Sequence, residues 1–158
     1  MGDRIVALKL LVSLLICYGA SALGGLATST SVKGWYLGIA KPSWNPPAWV
    51  FGPVWFCLFT MMGISLWMIW KHDNPNKKKA MVLFGVQLVL NVLWSCFFFG
   101  LKNPGLACVE IVFLIAAIAL TLLSFAKIDK MAGMLLLPYL VWTTFAAFLN
   151  GTIWILNS

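Results

Sequence analysis

Five long apolar stretches follow one another along the chain, each close to the length that crosses a bilayer. They cover about residues 10–26, 49–70, 80–100, 106–126 and 131–156. A transmembrane helix needs about 20 mostly apolar residues. The stretches are continuous and lack the alternation of polar and apolar residues that a barrel strand shows. The pattern therefore predicts an all-α membrane protein, a bundle of five transmembrane helices.

Composition agrees with this pattern. Hydrophobic residues make up 62% of the 158 residues and charged residues 9%, and the mean hydropathy is +0.95. An ordinary soluble domain is far less apolar. The connecting segments are too short to form a core of their own. We therefore expect residues 1–158 to form a single membrane domain.

The basic residues, which give a net charge of +7, lie mainly beside the apolar spans. They form no basic stripe interleaved with exposed aromatic residues, so nucleic acid is not an expected partner. By the positive-inside rule they predict an inside amino terminus and an outside carboxyl terminus. The inner side would carry Arg4, Lys9, Lys71, Lys77, Lys78, Lys79, Lys127 and Lys130, and the outer side Lys33, Lys41 and Lys102.

The longest connection, Thr28–Asn45, joins the first two spans and contains Trp35, Tyr36, Trp44 and two lysines. Connections of this length are uncommon unless they are functional. Its aromatic rings suit the headgroup zone, where such rings anchor membrane proteins. A lid over a cavity in the bundle is the alternative.

The first span carries small side chains at four-residue intervals, at Ser13, Cys17, Ser21 and Gly25. Residues spaced in this way share one helix face. Small residues let membrane helices approach closely. We expect this face to pack against a neighbouring helix. In the fifth span, Pro138 should break the helical hydrogen bonding and produce a kink.

Three other helix faces combine aromatic, small and polar residues at helical spacing. Such a face either packs against another helix and bonds to it, or lines a binding pocket. Both interpretations remain open from spacing alone. The faces are Gly52, Trp55, Phe59 and Gly63 in the second span, Gln87, Asn91 and Ser95 beside Trp94 in the third, and Tyr139, Trp142, Ala146 and Asn150 in the fifth.

Residues that could support acid–base or metal chemistry are few. Glu110 is the only acid near a span interior. A proton relay would need partners of matching type, which the spans lack, so we expect Glu110 to be exposed at the membrane interface or paired with Lys102. The single histidine, His72, lies in a loop, and the four cysteines are dispersed among the spans. Neither a metal site nor a conventional hydrolytic site is predicted.

Three sequence blocks resemble the signature of the TspO/translocator protein family, also called the peripheral-type benzodiazepine receptor or tryptophan-rich sensory protein family. The first combines Trp35-Tyr36 with Lys41–Trp55. The second is Leu90–Trp94 followed by Phe98–Gly100. The third is Pro138–Trp142 followed by Phe145-Ala146 and Leu149-Asn150. Together they extend over nearly the whole chain.

The resemblance implies a five-helix bundle, commonly a homodimer in the lipid bilayer, whose cavity opens toward the first loop. It implies a receptor or translocator-like protein that binds porphyrins such as protoporphyrin IX, isoquinoline and benzodiazepine drugs and, in some members, sterols, for sensing, sequestration or transport. No cofactor is required, and porphyrin enters as a ligand. The pocket residues implied by the resemblance are Trp35, Tyr36, Pro46, Trp55, Asn91, Trp94, Phe98, Trp142 and Ala146.

Two further expectations follow from the resemblance. Some bacterial members suggest an alternative function, the light- and oxygen-dependent degradation of bound porphyrin by Trp55 and Trp142. The cholesterol-recognition pattern of animal members is missing, since Leu149–Ile155 contains neither a tyrosine nor a basic residue. Strong sterol binding through this segment is therefore not expected, and a prokaryotic member is favoured.

Overall fold

Helices make up most of the computed structural model, which describes the backbone from Gly2 to Ser158 and the side chains from Arg4 onward. Five helical segments within this part are long and apolar enough to cross a membrane, so the prediction of a five-span helical bundle is confirmed. The helices are α1 (Gly2–Ser29), α2 (Trp35–Gly38), α3 (Ala48–Lys71), α4 (Lys77–Ser95), α5 (Pro104–Ala126), α6 (Lys130–Leu135) and α7 (Leu137–Leu156).

The helix ends follow local chemistry. The first helix extends beyond its predicted apolar run at both ends. In its last turn the hydroxyls of Thr28 and Ser29 bond to carbonyls one turn back. Pro47 immediately precedes α3, where its missing N–H costs little. Asn103 caps α5, since its side-chain oxygen accepts a hydrogen bond of 2.9 Å from the amide of Leu106.

The fifth span consists of two helices in series. Asp129 caps the short α6 through bonds from the amides of Met131 and Ala132, and α7 begins at Leu137 with Pro138 in its first turn. The predicted interruption at Pro138 is therefore present. Gly133 lies so close to α5 that a Cβ there would be 2.6 Å from the Cβ of Ala126. This glycine allows α6 to pack against α5.

The spans form a closed ring in which chain neighbours are not always spatial neighbours. α1 packs against α3 and α4, α4 packs against α5, α5 packs against α6 and α7, and α6 returns to α3. Contacts between α3 and α7 include aromatic side chains, such as Phe51 with Trp142. Near Phe51 and Trp142, α3 and α7 therefore meet through aromatic side chains, and these side chains can border a cavity.

The bundle has two ends of different character. At the basic end, near residues 71–80 and 126–130, the interior is filled. Phe84 and Phe125 stack there at 5.7 Å, and Met62 and Ile69 are fully buried. At the opposite end, residues 30–47, here called the lid loop, join α1 to α3. The interior beneath the lid loop is open.

Candidate functional site

A cavity of about 640 Å³ lies beneath the lid loop, bordered by α1, α3, α4 and α7. Eight of the nine side chains implied by the resemblance line it. Trp35 does not; its ring packs edge-on against Phe98 at 5.8 Å. Trp35 therefore supports the cavity wall from behind. The eight that line the cavity are Tyr36, Pro46, Trp55, Asn91, Trp94, Phe98, Trp142 and Ala146.

Aromatic rings form much of the wall. On the α3 side, Trp55 lies 5.6 Å from the ring of Phe59, and Phe51 meets Trp142 of α7 edge-on at 5.9 Å. These rings follow helical spacing, since Phe51, Trp55 and Phe59 are four residues apart. The flat faces and edges of several rings therefore border one space.

The α4 wall depends on a local change in helix geometry. After Ser95 the helix widens into one π turn, in which the amide of Leu101 donates to the carbonyl of Cys96 at 2.8 Å. Such turns are often found at functional sites. Here both Phe98 and Phe99 border the cavity, with their rings 4.8 Å apart. Phe98 also stacks on Trp94 at 5.3 Å, which extends the aromatic wall.

The small residues of α1 divide between packing and cavity. Ser13 and Cys17 are fully buried, as close packing requires. Ser21 and Gly25 border the cavity instead, and nothing would lie within 4 Å of a Cβ on Gly25. The prediction of close packing is therefore wrong for Ser21 and Gly25, in the half of this face nearer the lid loop. The small side chains at these positions leave space that belongs to the cavity.

Asn91 and Trp94 of α4 each bond to another helix and also line the cavity. The amide nitrogen of Asn91 donates to the phenol oxygen of Tyr139 at 3.0 Å. The indole N–H of Trp94 donates to the side-chain oxygen of Asn150 at 3.0 Å, and the amide of Asn150 donates to the carbonyl of Pro104 at 2.8 Å. These bonds fix the orientation of the wall residues.

The lid loop is held by hydrogen bonds near its start and near its middle. Ser31 donates a hydrogen bond to the carbonyl of Phe99. Asn157, just beyond α7, exchanges two hydrogen bonds of 2.9 Å with the backbone of Ala40. Of the two sequence interpretations, the structure favours a lid at Tyr36 and Lys41, which line the cavity.

The polar groups of the lid loop are also oriented. The ammonium of Lys41 donates to the carbonyls of Tyr36 at 2.6 Å and Ile39 at 2.8 Å. The hydroxyl of Tyr36 donates to Asn45 at 3.2 Å. Burial raises the pKa of Tyr36, and the hydrogen bond to Asn45 offsets only part of this effect. The phenol is therefore a neutral hydrogen-bond donor at physiological pH.

Glu110 occupies a different environment from the one expected. Its side chain is only 6% exposed, and neither carboxyl oxygen has a hydrogen-bond partner among the described residues. The predicted exposure at the interface and the predicted pairing with Lys102 are wrong. Glu110 lies on the inward face of α5 with Ala107 and Ile111, whereas Lys102 lies in the preceding turn. Gln87 is likewise buried without a partner.

Several residues that line the cavity were not predicted. Phe51 lies one helical turn before Trp55, so its spacing was an available signal. Ser21 and Gly24 belong to the helix that was assigned to packing. Lys41 and Asn45 lie in the irregular lid loop, where sequence spacing does not show which way a side chain points.

The described residues contain no cluster of three or more potential metal ligands among His, Cys, Asp and Glu.

These features define a multi-pass membrane protein with an internal aromatic cavity closed by its first loop. The sequence model of the TspO/MBR family matches residues 12–155, and the chain belongs to this family. The family prediction from the three sequence blocks is confirmed.

Relatives from all three domains of life share most of the chain. The tryptophan-rich protein TspO of Chlorobaculum tepidum is 44% identical over 99% of both chains. The protein of the same name from Archaeoglobus fulgidus is 42% identical over 96% of this chain and 98% of its own. The human translocator protein is 39% identical over 85% of this chain and 84% of its own. Family membership supports a translocator- or sensor-like role in the membrane.

Proposed function

We propose that this protein binds a porphyrin, with protoporphyrin IX as the reference ligand, in the cavity beneath the lid loop, and that it senses, sequesters or transports that ligand. The observation that carries the proposal is the meeting of Trp55, Trp94, Phe98 and Trp142 around one space of about 640 Å³. Ligand sites commonly enclose about 300–1,000 Å³ and combine apolar walls with a few polar groups.

The chemistry of the wall suits a flat conjugated ring. Aromatic side chains contact such a ring through offset stacking or edge-to-face geometry, and each arrangement adds about 0.5–1.5 kcal/mol beyond area burial. The rings of Trp55, Trp94 and Trp142 are already held by packing or hydrogen bonds. Little side-chain freedom would then be lost on binding. Isoquinoline and benzodiazepine drugs, also flat and apolar, should compete for the same walls.

One charged residue near the lid suggests how the ring is oriented. Among the described residues that line the cavity, Lys41 is the only lysine, arginine, aspartate or glutamate. Its ammonium is half-buried and bonded to backbone carbonyls. Its third hydrogen bond, to the carbonyl of Leu37, is long at 3.4 Å, and a porphyrin propionate could replace this carbonyl as the acceptor of a charge-assisted hydrogen bond. We therefore place the propionate edge toward the lid and the apolar edge toward Trp55 and Phe59.

This orientation is tested by titrating purified protein with protoporphyrin IX and with its dimethyl ester. For Lys41→Gln, we expect the affinity for the diacid to fall about tenfold, because a bond to a charged group is lost. The ester should bind this variant as it binds the wild type. Lys33→Gln is the matched control, since Lys33 lies in the lid loop but does not line the cavity. Equal losses for diacid and ester would contradict the orientation.

A photochemical reaction is the second candidate, because the two tryptophans that it needs both line the cavity. An excited porphyrin bound there would lie against Trp55 and Trp142, whose indoles are oxidisable electron donors, and molecular oxygen would be the terminal oxidant. The test is illumination of the complex in air while the porphyrin absorption band is followed. Bleaching no faster than with denatured protein would exclude degradation.

We also propose a homodimer in the membrane. The outer face of α4 exposes Val82, Gly85, Val86 and Val89 at helical spacing, and small residues favour close approach of membrane helices. Ala80, another small residue of α4, is fully buried within the bundle and so is not available for such a contact. A Gly85→Leu substitution should therefore increase the monomer fraction in mild detergent, measured by light scattering. An unchanged dimer fraction would exclude this face.

The orientation predicted by charge is proposed for the membrane as well. Lys71, Lys79 and Lys127 lie at one end of the bundle, and Lys41 and Lys102 at the other. The positive-inside rule then places the lid loop and carboxyl terminus outside. A fluorescent or enzymatic reporter that works on only one side, fused to the carboxyl terminus, tests this arrangement. Activity of an inside-only reporter would reverse it.

A further inference from the structure

A second concave site lies at the basic end of the bundle, on the surface where α4 begins and α5 ends. It is a groove of about 450 Å³ between these two helices. Its apolar part consists of Leu83, Leu120 and Leu123, of which Leu120 and Leu123 are more than half exposed. In a membrane, these exposed side chains face lipid. The groove is therefore open to the acyl-chain region.

The polar part of the same groove carries two basic side chains, and neither has an acidic partner among the described residues. Lys79 on α4 and Lys127 at the end of α5 line it together with Asn76 and Ser124. No acid lines the groove, and the ammonium groups of the two lysines make no hydrogen bond or ion pair with a described residue. Within the described part of the chain, the one contact between a basic and an acidic side chain lies elsewhere, where the imidazole of His72 is 2.9 Å from the carboxylate of Asp129.

The spacing along α4 and α5 places the lysines and the leucines of the groove at different depths in the membrane. Leu83 lies one turn into α4 from Lys79, while Leu123 and Leu120 lie one and two turns into α5 from Lys127. The lysines are thus at the membrane surface and the leucines below them. α4 also begins beside the groove without a side-chain cap, and the positive end of its dipole adds to the two charges. The arrangement matches a molecule with an anionic head and an apolar tail.

We propose that this groove binds one anionic phospholipid, with its phosphate between Lys79 and Lys127 and an acyl chain along Leu83, Leu120 and Leu123. Charge complementarity carries the assignment, since two cations without an acid attract a lipid of net negative charge more than a zwitterionic one. Basic pockets between transmembrane helices are a recognised mode of binding anionic headgroups. The site is separate from the porphyrin cavity and does not depend on it.

The test uses the full-length protein in a neutral detergent and counts bound lipids by native mass spectrometry. Dioleoyl phosphatidylglycerol is compared with dioleoyl phosphatidylcholine, which has the same acyl chains but no net charge. We expect phosphatidylglycerol to bind about tenfold more tightly to the wild type, and this preference to disappear in Lys79→Gln/Lys127→Gln. Because both lysines are exposed, this variant should fold, and each single substitution provides a second measurement.

The matched control is Lys78→Gln/Lys130→Gln, which removes the same charge at the same end of the bundle. Both residues are exposed and neither lines the groove, so the control should keep the lipid preference. An equal loss in both double variants would show diffuse surface attraction and overturn the proposal. Displacement of phosphatidylglycerol by millimolar inorganic phosphate would also overturn it, because the site would then recognise a free anion. No preference between the two lipids would have the same consequence.

Discussion

The side-chain amide of Asn91 donates a hydrogen bond of 3.0 Å to the phenol oxygen of Tyr139. This bond joins α4 to α7 at the level where the cavity beneath the lid loop ends and the filled interior of the bundle begins. Asn91 faces the cavity, while Tyr139 is almost completely buried behind Trp55, with ring centroids 6.3 Å apart. The polar contact and the aromatic contact together connect the cavity wall to the packed core.

Removing the phenol oxygen tests the structural value of this bond. Tyr139→Phe should lower the free energy of unfolding by about 1 kcal/mol, because Asn91 loses its acceptor in the membrane interior. Tyr18→Phe is the control, since its partner Thr60 also bonds to the carbonyl of Phe56. In detergent, Tyr139→Phe should have a lower melting temperature than Tyr18→Phe. The reverse order would show that the bond between Asn91 and Tyr139 stabilises the bundle less than the bond between Tyr18 and Thr60.

Glu110 provides a second stability test. Burying an unpaired carboxylate is costly, whereas a neutral amide of the same shape costs less. Glu110→Gln should therefore melt at or above the wild-type temperature. Glu110→Ala should melt lower, because deleting a buried side chain leaves a cavity. A marked loss of stability in Glu110→Gln would indicate that the carboxylate has a partner that stabilises its charge.

The His72–Asp129 pair gives the protein a pH-dependent link between the end of α3 and the start of α6. Burial raises the pKa of Asp129, but hydrogen bonds from His72 and from the amides of Ala132 and Met131 outweigh this effect, so the pKa lies below its ordinary value. A carboxyl with a lowered pKa in the folded state contributes stability above its unfolded pKa. That contribution is lost as the pH falls through the folded pKa.

Asp129→Asn isolates this contribution, because asparagine also caps helices but does not ionise. At neutral pH the variant should be less stable by under about 1 kcal/mol, since the pair is partly exposed. The difference in melting temperature from the wild type should shrink as the pH is lowered to 3. A constant difference between pH 7 and pH 3 would exclude the ionised form of Asp129 as its source.

Ala146 tests whether the space beside Trp142 is needed for binding. A phenylalanine at this position would project into the cavity, because Ala146 lies on the lining face of α7. Ala146→Phe should lower porphyrin affinity at least about tenfold while the helical content is unchanged. Val141→Phe adds a ring to the exposed face of the same helix and should bind as the wild type does. Equal affinities of the two variants would place the ligand elsewhere.

The spans and much of the cavity wall were accessible from sequence for physical reasons. A bilayer requires long apolar runs, and these stand out against the charged turns. Helical spacing then places Trp55 with Phe59 and Trp142 with Ala146 on common faces. The same spacing could not distinguish packing from a pocket. That distinction depends on how far the neighbouring helices diverge.

Other features of the structure could not be predicted from the sequence. The spans are apolar on all sides, so hydrophobicity did not show that Glu110 faces the bundle interior rather than the interface. The π turn at Cys96–Gly100 contains no proline that would mark it, yet it brings Phe98 and Phe99 to the same cavity. The lid-loop residue Trp35 was assigned by motif alone, and only the three-dimensional packing shows that it lies behind Phe98.

Porphyrin titration of matched tryptophan variants tests the central claim most directly. Trp55→Ala/Trp142→Ala removes two rings from the cavity wall, whereas Trp49→Ala/Trp154→Ala removes two that do not line it, one of them 75% exposed. Affinity is measured from the porphyrin absorption band, so that loss of tryptophan fluorescence does not interfere. We expect saturable binding that weakens at least about tenfold in the first variant and less than twofold in the second. Unchanged affinity in Trp55→Ala/Trp142→Ala, with the helical content intact, would contradict the proposed site.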